Sequence, residues 1–130
     1  MAKTKRLPKI GDLEMAVLQH LWASGEADVQ ETHAAIGRAR GITTNTVGSA
    51  LERLHRKGLV RREKLSHAYR YVAGLTEDEF AARRIMDVAG GTQALAEAGL
   101  LAAFVDLVAD EDEESLDRLE ALIAQKRGQR

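Results

Sequence analysis

Residues 43–57, Thr-Thr-Asn-Thr-Val-Gly-Ser-Ala-Leu-Glu-Arg-Leu-His-Arg-Lys, closed by Gly58, constrain this chain more than any other stretch. Wound as a helix at about 100° per residue, they separate into two sides. Val47, Ala50, Leu51 and Leu54 share one; Asn45, Gly48, Ser49, Glu52 and Arg56 share the other. The apolar side requires a core to pack into. The polar side starts with short hydroxyl and amide groups and ends in cations. Short groups reach base edges and long cations reach phosphates, so this pattern suits a helix lying in a DNA major groove. A surface helix of a small bundle would show the same two sides, and the neighbouring segments decide between the readings.

Upstream, Leu13, Val17 and Leu21 recur at helical spacing over residues 12–24, widened by Leu18 and Trp22 and stopped at Gly25. Trp22 reads as a core anchor. Asp28 and Glu31 form a capping box for a second helix reaching about Arg38, with Val29, Thr32, His33 and Ile36 on its inner face. On that face His33 is expected as a packed core histidine. Gly41 ends the connection, and Ile42 precedes the central helix as a hydrophobic staple. After Gly58 the period changes. Residues 59–65 and 68–72 flank Ser66-His67 as a hairpin, with Tyr69 and Tyr71 on one face. Thr76 and Glu79 form another capping box, for a helix stopping at Gly90-Gly91. A helical stretch follows over 92–109. The acidic run 110–114 precedes a last helix. Residues 1–9, with four cations and no acid, read as a mobile arm.

Helix, helix, helix, hairpin is the winged helix-turn-helix order. The expected class is therefore α+β, mainly helical, with a winged helix-turn-helix domain over 1–75 and a three-helix dimerisation region over 76–130. Charge divides at the same place. Residues 1–75 hold 13 Lys and Arg against 7 Asp and Glu, whereas 76–130 hold 6 against 13. A basic half suits a polyanion, and the acidic half has another task. The three C-terminal helices carry more apolar surface than they can hide among themselves. Leu100, Leu101, Phe104, Val105, Val108, Leu116, Leu119, Leu122 and Ile123 are expected to bury it against a second copy, the commonest oligomer being a two-fold dimer.

Other chemistries find little support. With no cysteine there is no disulfide framework or thiolate metal site. His20, His33, His55 and His67 show no ligand spacing, and there is no phosphate-binding loop or hydrolase signature. No cofactor or metal is implied, and no enzyme. No apolar run approaches the roughly 20 residues of a membrane helix, and the basic N-terminus lacks a signal-peptide core, so a cytoplasmic protein without a membrane partner is expected.

Leu13-Glu14-Met15-Ala16-Val17-Leu18 with Leu21-Trp22, Thr43-Thr44-Asn45-Thr46-Val47, Leu51-Glu52-Arg53-Leu54-His55-Arg56-Lys57-Gly58-Leu59-Val60 and Tyr69-Arg70-Tyr71 together resemble the BlaI/MecI/CopY penicillinase-repressor family. The likeness is specific over roughly 7–75 and weaker over 76–125. It implies a homodimeric winged-helix repressor on a palindromic operator, controlling β-lactam-resistance or cell-envelope stress genes. It also implies a regulatory protease as partner, cutting between Asn and Phe in the dimerisation region. That bond aligns with Ala103-Phe104, where the Phe is present and the Asn is not. The cysteine metal motif of the copper-responsive branch is missing. Gly48 stands where some relatives carry a longer side chain.

Thr44, Asn45 and Ser49 are the expected base-contacting residues. Thr43, Thr46, Arg53 and Arg56, with Arg61, Arg62, Lys64 and Arg70 of the wing, are expected on the DNA backbone. Glu52 faces the same way, where Arg56 four residues on, or a cytosine amine, would compensate its charge. The alternative is a winged-helix protein-interaction module without sequence-specific DNA binding. Such a module has no need of Thr, Asn and Ser on this helix with cations on the wing.

Overall fold

The computed structural model describes residues 6–129. Two compact units divide the chain, one ending at Ile85 and the other beginning at Met86. The first unit is organised around α1 (Asp12–Ser24) and α3 (Thr44–Arg56), which pack on each other. Val17, Leu18 and Leu21 of α1 meet Val47, Ala50, Leu51 and Leu54 of α3, and all seven are essentially inaccessible to water. Burying side chains of this size contributes about 1.5–3 kcal/mol each for the larger ones before chain entropy is counted. The apolar side of segment 43–57 is thus the core of the unit.

Between them lies α2, which runs through Val29–Thr32, a π-helical turn His33–Gly37, and Arg38–Arg40. Its capping box forms as expected: Glu31 N donates to Asp28 Oδ1 at 2.7 Å and Asp28 N to Glu31 Oε1 at 2.9 Å. Gly41 ends α2 at φ 68°, and Gly58 follows α3 at φ 78°, backbone that a side chain would strain. The hairpin is β1 (Val60–Leu65) and β2 (Ala68–Ala73), antiparallel, with Arg62 opposite Tyr71 and Lys64 opposite Tyr69. A bridge absent from the sequence reading joins β2 to the α1–α2 connection. Tyr71 N donates to Ala27 O at 2.8 Å and Ala27 N to Tyr71 O at 3.0 Å.

Helix α4 (Glu77–Ala89) starts at the Thr76–Glu79 capping box, whose backbone and hydroxyl hydrogen bonds hold the Glu79 carboxyl below its usual range. Trp22 Nε1 donates to Leu75 O at 2.9 Å, and its ring meets buried Phe80 at 5.4 Å between centroids. That contact holds the first turns of α4 in the winged unit, beyond the sequence-based division at 75/76.

Three expectations need correction. Within 1–9, residues 1–5 lie outside the described residues, but Leu7 packs against the core and Lys9 O accepts from Lys57 Nζ at 2.7 Å. The C-terminal part of the arm is therefore tied down by its one leucine and one carbonyl. The stretch 92–109 is not one helix: Gly90 and Gly91 turn the chain at φ 107° and 88°, a 3-10 turn covers Thr92–Ala96, and extended Glu97 restarts it as α5 (Ala98–Glu111). The acidic run also splits. Asp110 and Glu111 end α5, while Asp112 accepts from Ser115 N as the cap of α6 (Glu113–Gly128). This bond, with that of the Ser115 hydroxyl, depresses the Asp112 pKa. Only Asp112, Glu113 and Glu114 thus meet the positive end of a helix dipole.

Candidate nucleic-acid interface

The start of α3 is fixed from two directions. Thr43 Oγ1 accepts from Thr46 N at 3.1 Å and lies 3.0 Å from the Thr46 hydroxyl, so both hydroxyls take part in the N-cap. The carbonyl just before it, Ile42 O, accepts from His33 Nε2 at 2.8 Å. His33 is therefore more than packing: its ring joins α2 to the turn that aims α3. The ring fits because residue 37 is glycine. A Cβ there would stand 2.4 Å from His33 Cδ2 and 3.1 Å from Val47 Cγ2. The π-helical turn begins at this histidine, and such turns often mark functional positions.

Along α3, Asn45, Thr46, Ser49 and Arg56 are exposed, and Thr44, Glu52 and Arg53 are half-buried. Asn45, Ser49, Glu52 and Arg56 form one stripe at i, i+4, i+7 and i+11. Gly48 beside it lies over Val29, where a Cβ would make an ordinary 3.6 Å contact.

The wing divides its cations between two faces, because strand neighbours alternate. Arg62 and Lys64 stand with Tyr69 and Tyr71, whereas Arg61 and Arg70 stand on the opposite face. Arg62 Nη1 donates to Glu52 Oε2, and its guanidinium lies 4.2 Å from the Tyr69 ring centroid. The partner of Glu52 is thus Arg62 from the wing, not Arg56. On the other face Arg70 meets three carboxylates: Glu26 and Glu31 at 3.0 Å each, and Asp28 at 3.9 Å. It fastens β2 to the start of α2. Partial burial works against the Arg70 charge, but Glu26 and Glu31 outweigh it and raise its pKa.

Behind α3, Lys57 Nζ donates to Glu14 Oε2 at 2.6 Å, and Arg53 Nε stands 3.8 Å from Glu14 Oε1. Glu14 is a buried acid. Burial pushes its carboxyl up, but Lys57, the Gly11 N–H and the Arg53 charge outweigh this and hold it below the usual range. Sequence reasoning missed this tie and the Glu52–Arg62 pair. Helix phase places each acid on its face, but nothing local names a partner tens of residues away.

In the second unit α5 and α6 pack on each other, yet none of residues 86–129 is buried. Leu100, Leu101, Phe104, Val105, Leu122 and Ile123 are exposed, and Val108, Leu116 and Leu119 are half-buried. Leu107, which the sequence reading passed over, is 66% exposed. Its place in the same apolar run was the available signal. Among the described residues no group of three acidic or histidine side chains is placed to hold a metal ion. None of the described helices is long and apolar enough to cross a membrane.

Residues 10–125 match the family described as penicillinase repressor. Transcriptional regulator BlaI of Mycobacterium tuberculosis, from two strains, is 32% identical over 127 residues, covering 96% of this chain and 92% of that protein. Among solved structures, the DNA-binding domain of the repressor BlaI aligns with a TM-score of 0.52 at 22% identity, over 58% of this chain and 93% of that one. The monomeric form of Bacillus licheniformis BlaI, solved in complex with the blaP half-operator, aligns with a TM-score of 0.50 at 22% identity, over the same shares. These likenesses show the winged-helix fold, and the match over nearly the whole chain shows the lineage: the protein belongs to the penicillinase repressor family, a family of transcriptional regulators rather than enzymes.

Proposed function

We infer that the protein is a homodimeric transcriptional repressor that binds a palindromic operator, each subunit laying α3 in the major groove with its wing on the adjacent backbone. The observation that carries this reading is the stripe along α3 formed by exposed Asn45, Ser49 and Arg56 with half-buried Glu52, flanked by the wing face bearing Arg62 and Lys64. Asn45 reads a base edge, with adenine the best fit to an amide, and Ser49 and Thr44 supply shorter contacts. Arg56, Arg61 and Lys64 make no ion pair among the described residues and extend to phosphates, while Thr43 and Thr46, whose hydroxyls share the N-cap, lie at the helix start and meet a phosphate with their remaining hydrogen-bonding capacity. Arg53 and Arg62 reach phosphates only by sharing or leaving Glu14 and Glu52, and Arg70 only by sharing or leaving Glu26, Glu31 and Asp28. The half-operator complex of Bacillus licheniformis BlaI supports this reading by family likeness.

Dimerisation is supported by the second unit, in which none of the described residues is buried and Leu100, Leu101, Phe104, Val105, Leu107, Leu122 and Ile123 are exposed. A second copy is the self-complementary cover for such a surface. The regulated genes are those of β-lactam resistance or cell-envelope stress. If a protease relieves repression at Ala103-Phe104, it must first unwind α5, because that bond lies inside the helix. The test is footprinting of the full-length protein on DNA upstream of its own gene. Two protected half-sites separated by about one helical turn of 10–10.5 base pairs, or a multiple, are expected. Protection of a single half-site at all concentrations would overturn the dimeric reading.

A further inference from the structure

Glu52 is an anomaly on a helix bound for a polyanion. It stands seven residues after Asn45 and three after Ser49, so its carboxylate rises on the stripe that faces the bases. One oxygen, Oε2, is taken by Arg62. Arg62 is itself stacked on Tyr69, whose ring lies 6.3 Å from that of Tyr71, and Tyr71 is buried and bonded to Ala27. The carboxylate is therefore held by a chain of contacts that ends in the core. The other oxygen, Oε1, has no hydrogen-bond partner among the described residues, and the side chain is 39% exposed. The pair carries no net charge, so the repulsion from phosphate is cancelled while a fixed acceptor remains.

In the major groove an isolated acceptor fits one base best. Cytosine offers the N4 amino donor, whereas guanine offers only acceptors. Adenine places the N7 lone pair beside its N6 donor. We propose that Glu52 is a specificity-determining residue that accepts a hydrogen bond from a cytosine amino group in each half-site, with Arg62 as its positioning residue. The inference rests on the reading that α3 lies in the major groove.

The test is selection of a randomised duplex pool by the full-length protein, comparing wild type with Glu52→Gln, Glu52→Ala and Arg62→Ala, each checked for its helical circular-dichroism signal. Wild type should enrich cytosine at one position per half-site. Glu52→Gln should shift that position toward adenine, the partner of a carboxamide, and Glu52→Ala should erase the preference there alone. Affinity of Glu52→Ala for the wild-type site should fall about 5- to 150-fold, while its affinity for scrambled DNA rises as a negative charge is lost. Arg62→Ala should blur the same position. If both Glu52 variants enrich the wild-type motif unchanged, or the position they alter is not cytosine in the wild type, the proposal is wrong while groove binding stands. If the wild type enriches no motif, the groove reading itself fails.

Discussion

Replacing Glu14 by Gln tests how the recognition helix is held. Gln keeps an oxygen that Lys57 Nζ can reach, removes the charge that Lys57 meets at 2.6 Å and Arg53 at 3.8 Å, and puts an amino donor in place of the oxygen that accepts from Gly11 N–H. A hydrogen bond to a charged group contributes about 1.5–3 kcal/mol. The side chains of Lys57 and Arg53 are 27% and 42% exposed, so water recovers part of their loss, leaving about 1–2 kcal/mol. At about 4–8 °C per kcal/mol for a unit of this size, the melting temperature at pH 7 should fall by roughly 4–16 °C. The pH dependence gives the sharper check. Burial raises the Glu14 pKa, but Lys57, Gly11 N–H and Arg53 bring it below its ordinary value of 4.5. A carboxyl lowered by folding stabilises fully above its unfolded value, and this is lost as pH falls through the folded value. Thermal melts followed by circular dichroism should therefore show a gap between wild type and Glu14→Gln that is full at pH 7. It narrows as pH falls below about 4.5, the ordinary value, and closes at lower pH. Equal melting temperatures at pH 7, or a gap that widens on acidification, would refute the reasoning.

The two glycines at the α2–α3 contact should respond oppositely. Gly48→Ala, meeting Val29 at 3.6 Å, should stabilise by about 0.5–1 kcal/mol in urea melts, whereas Gly37→Ala drives into His33 and should cost about 1–3 kcal/mol. Arg56→Gln and Lys64→Gln should each weaken binding to every duplex alike and reduce the log–log salt slope by about one. Phe104→Glu should give a monomer in sedimentation equilibrium, with the winged unit still folded, because Phe104 is 49% exposed and contributes no buried core surface.

Much of this molecule was legible because its signals are local. The 3.6-residue apolar repeats of 12–24 and 43–57 become the two packed helices of the core, and the capping boxes at Asp28 and Thr76 start helices where they should. The change to period two gives the hairpin. What was hidden depends on partners distant in the chain. Arg62 and Arg70 look alike in sequence, yet strand alternation sends one to Glu52 and the other to Glu26 and Glu31. Lys57 reads as another cation near a helix end, yet it secures a buried acid on α1. The break at Glu97 was illegible for another reason: the alanine- and leucine-rich stretch around it favours helix throughout.

Fluorescence anisotropy of labelled duplex from upstream of its own gene, against scrambled duplex, over a salt series and with wild type beside Asn45→Ala, tests the central claim most directly. The account predicts tight wild-type binding to the upstream duplex, with a negative log–log slope of about 0.9 per phosphate neutralised. It also predicts that Asn45→Ala loses about 1–3 kcal/mol on that duplex and little on scrambled DNA. A wild type that binds neither duplex at low salt would contradict it and leave the winged helix as a surface for protein partners.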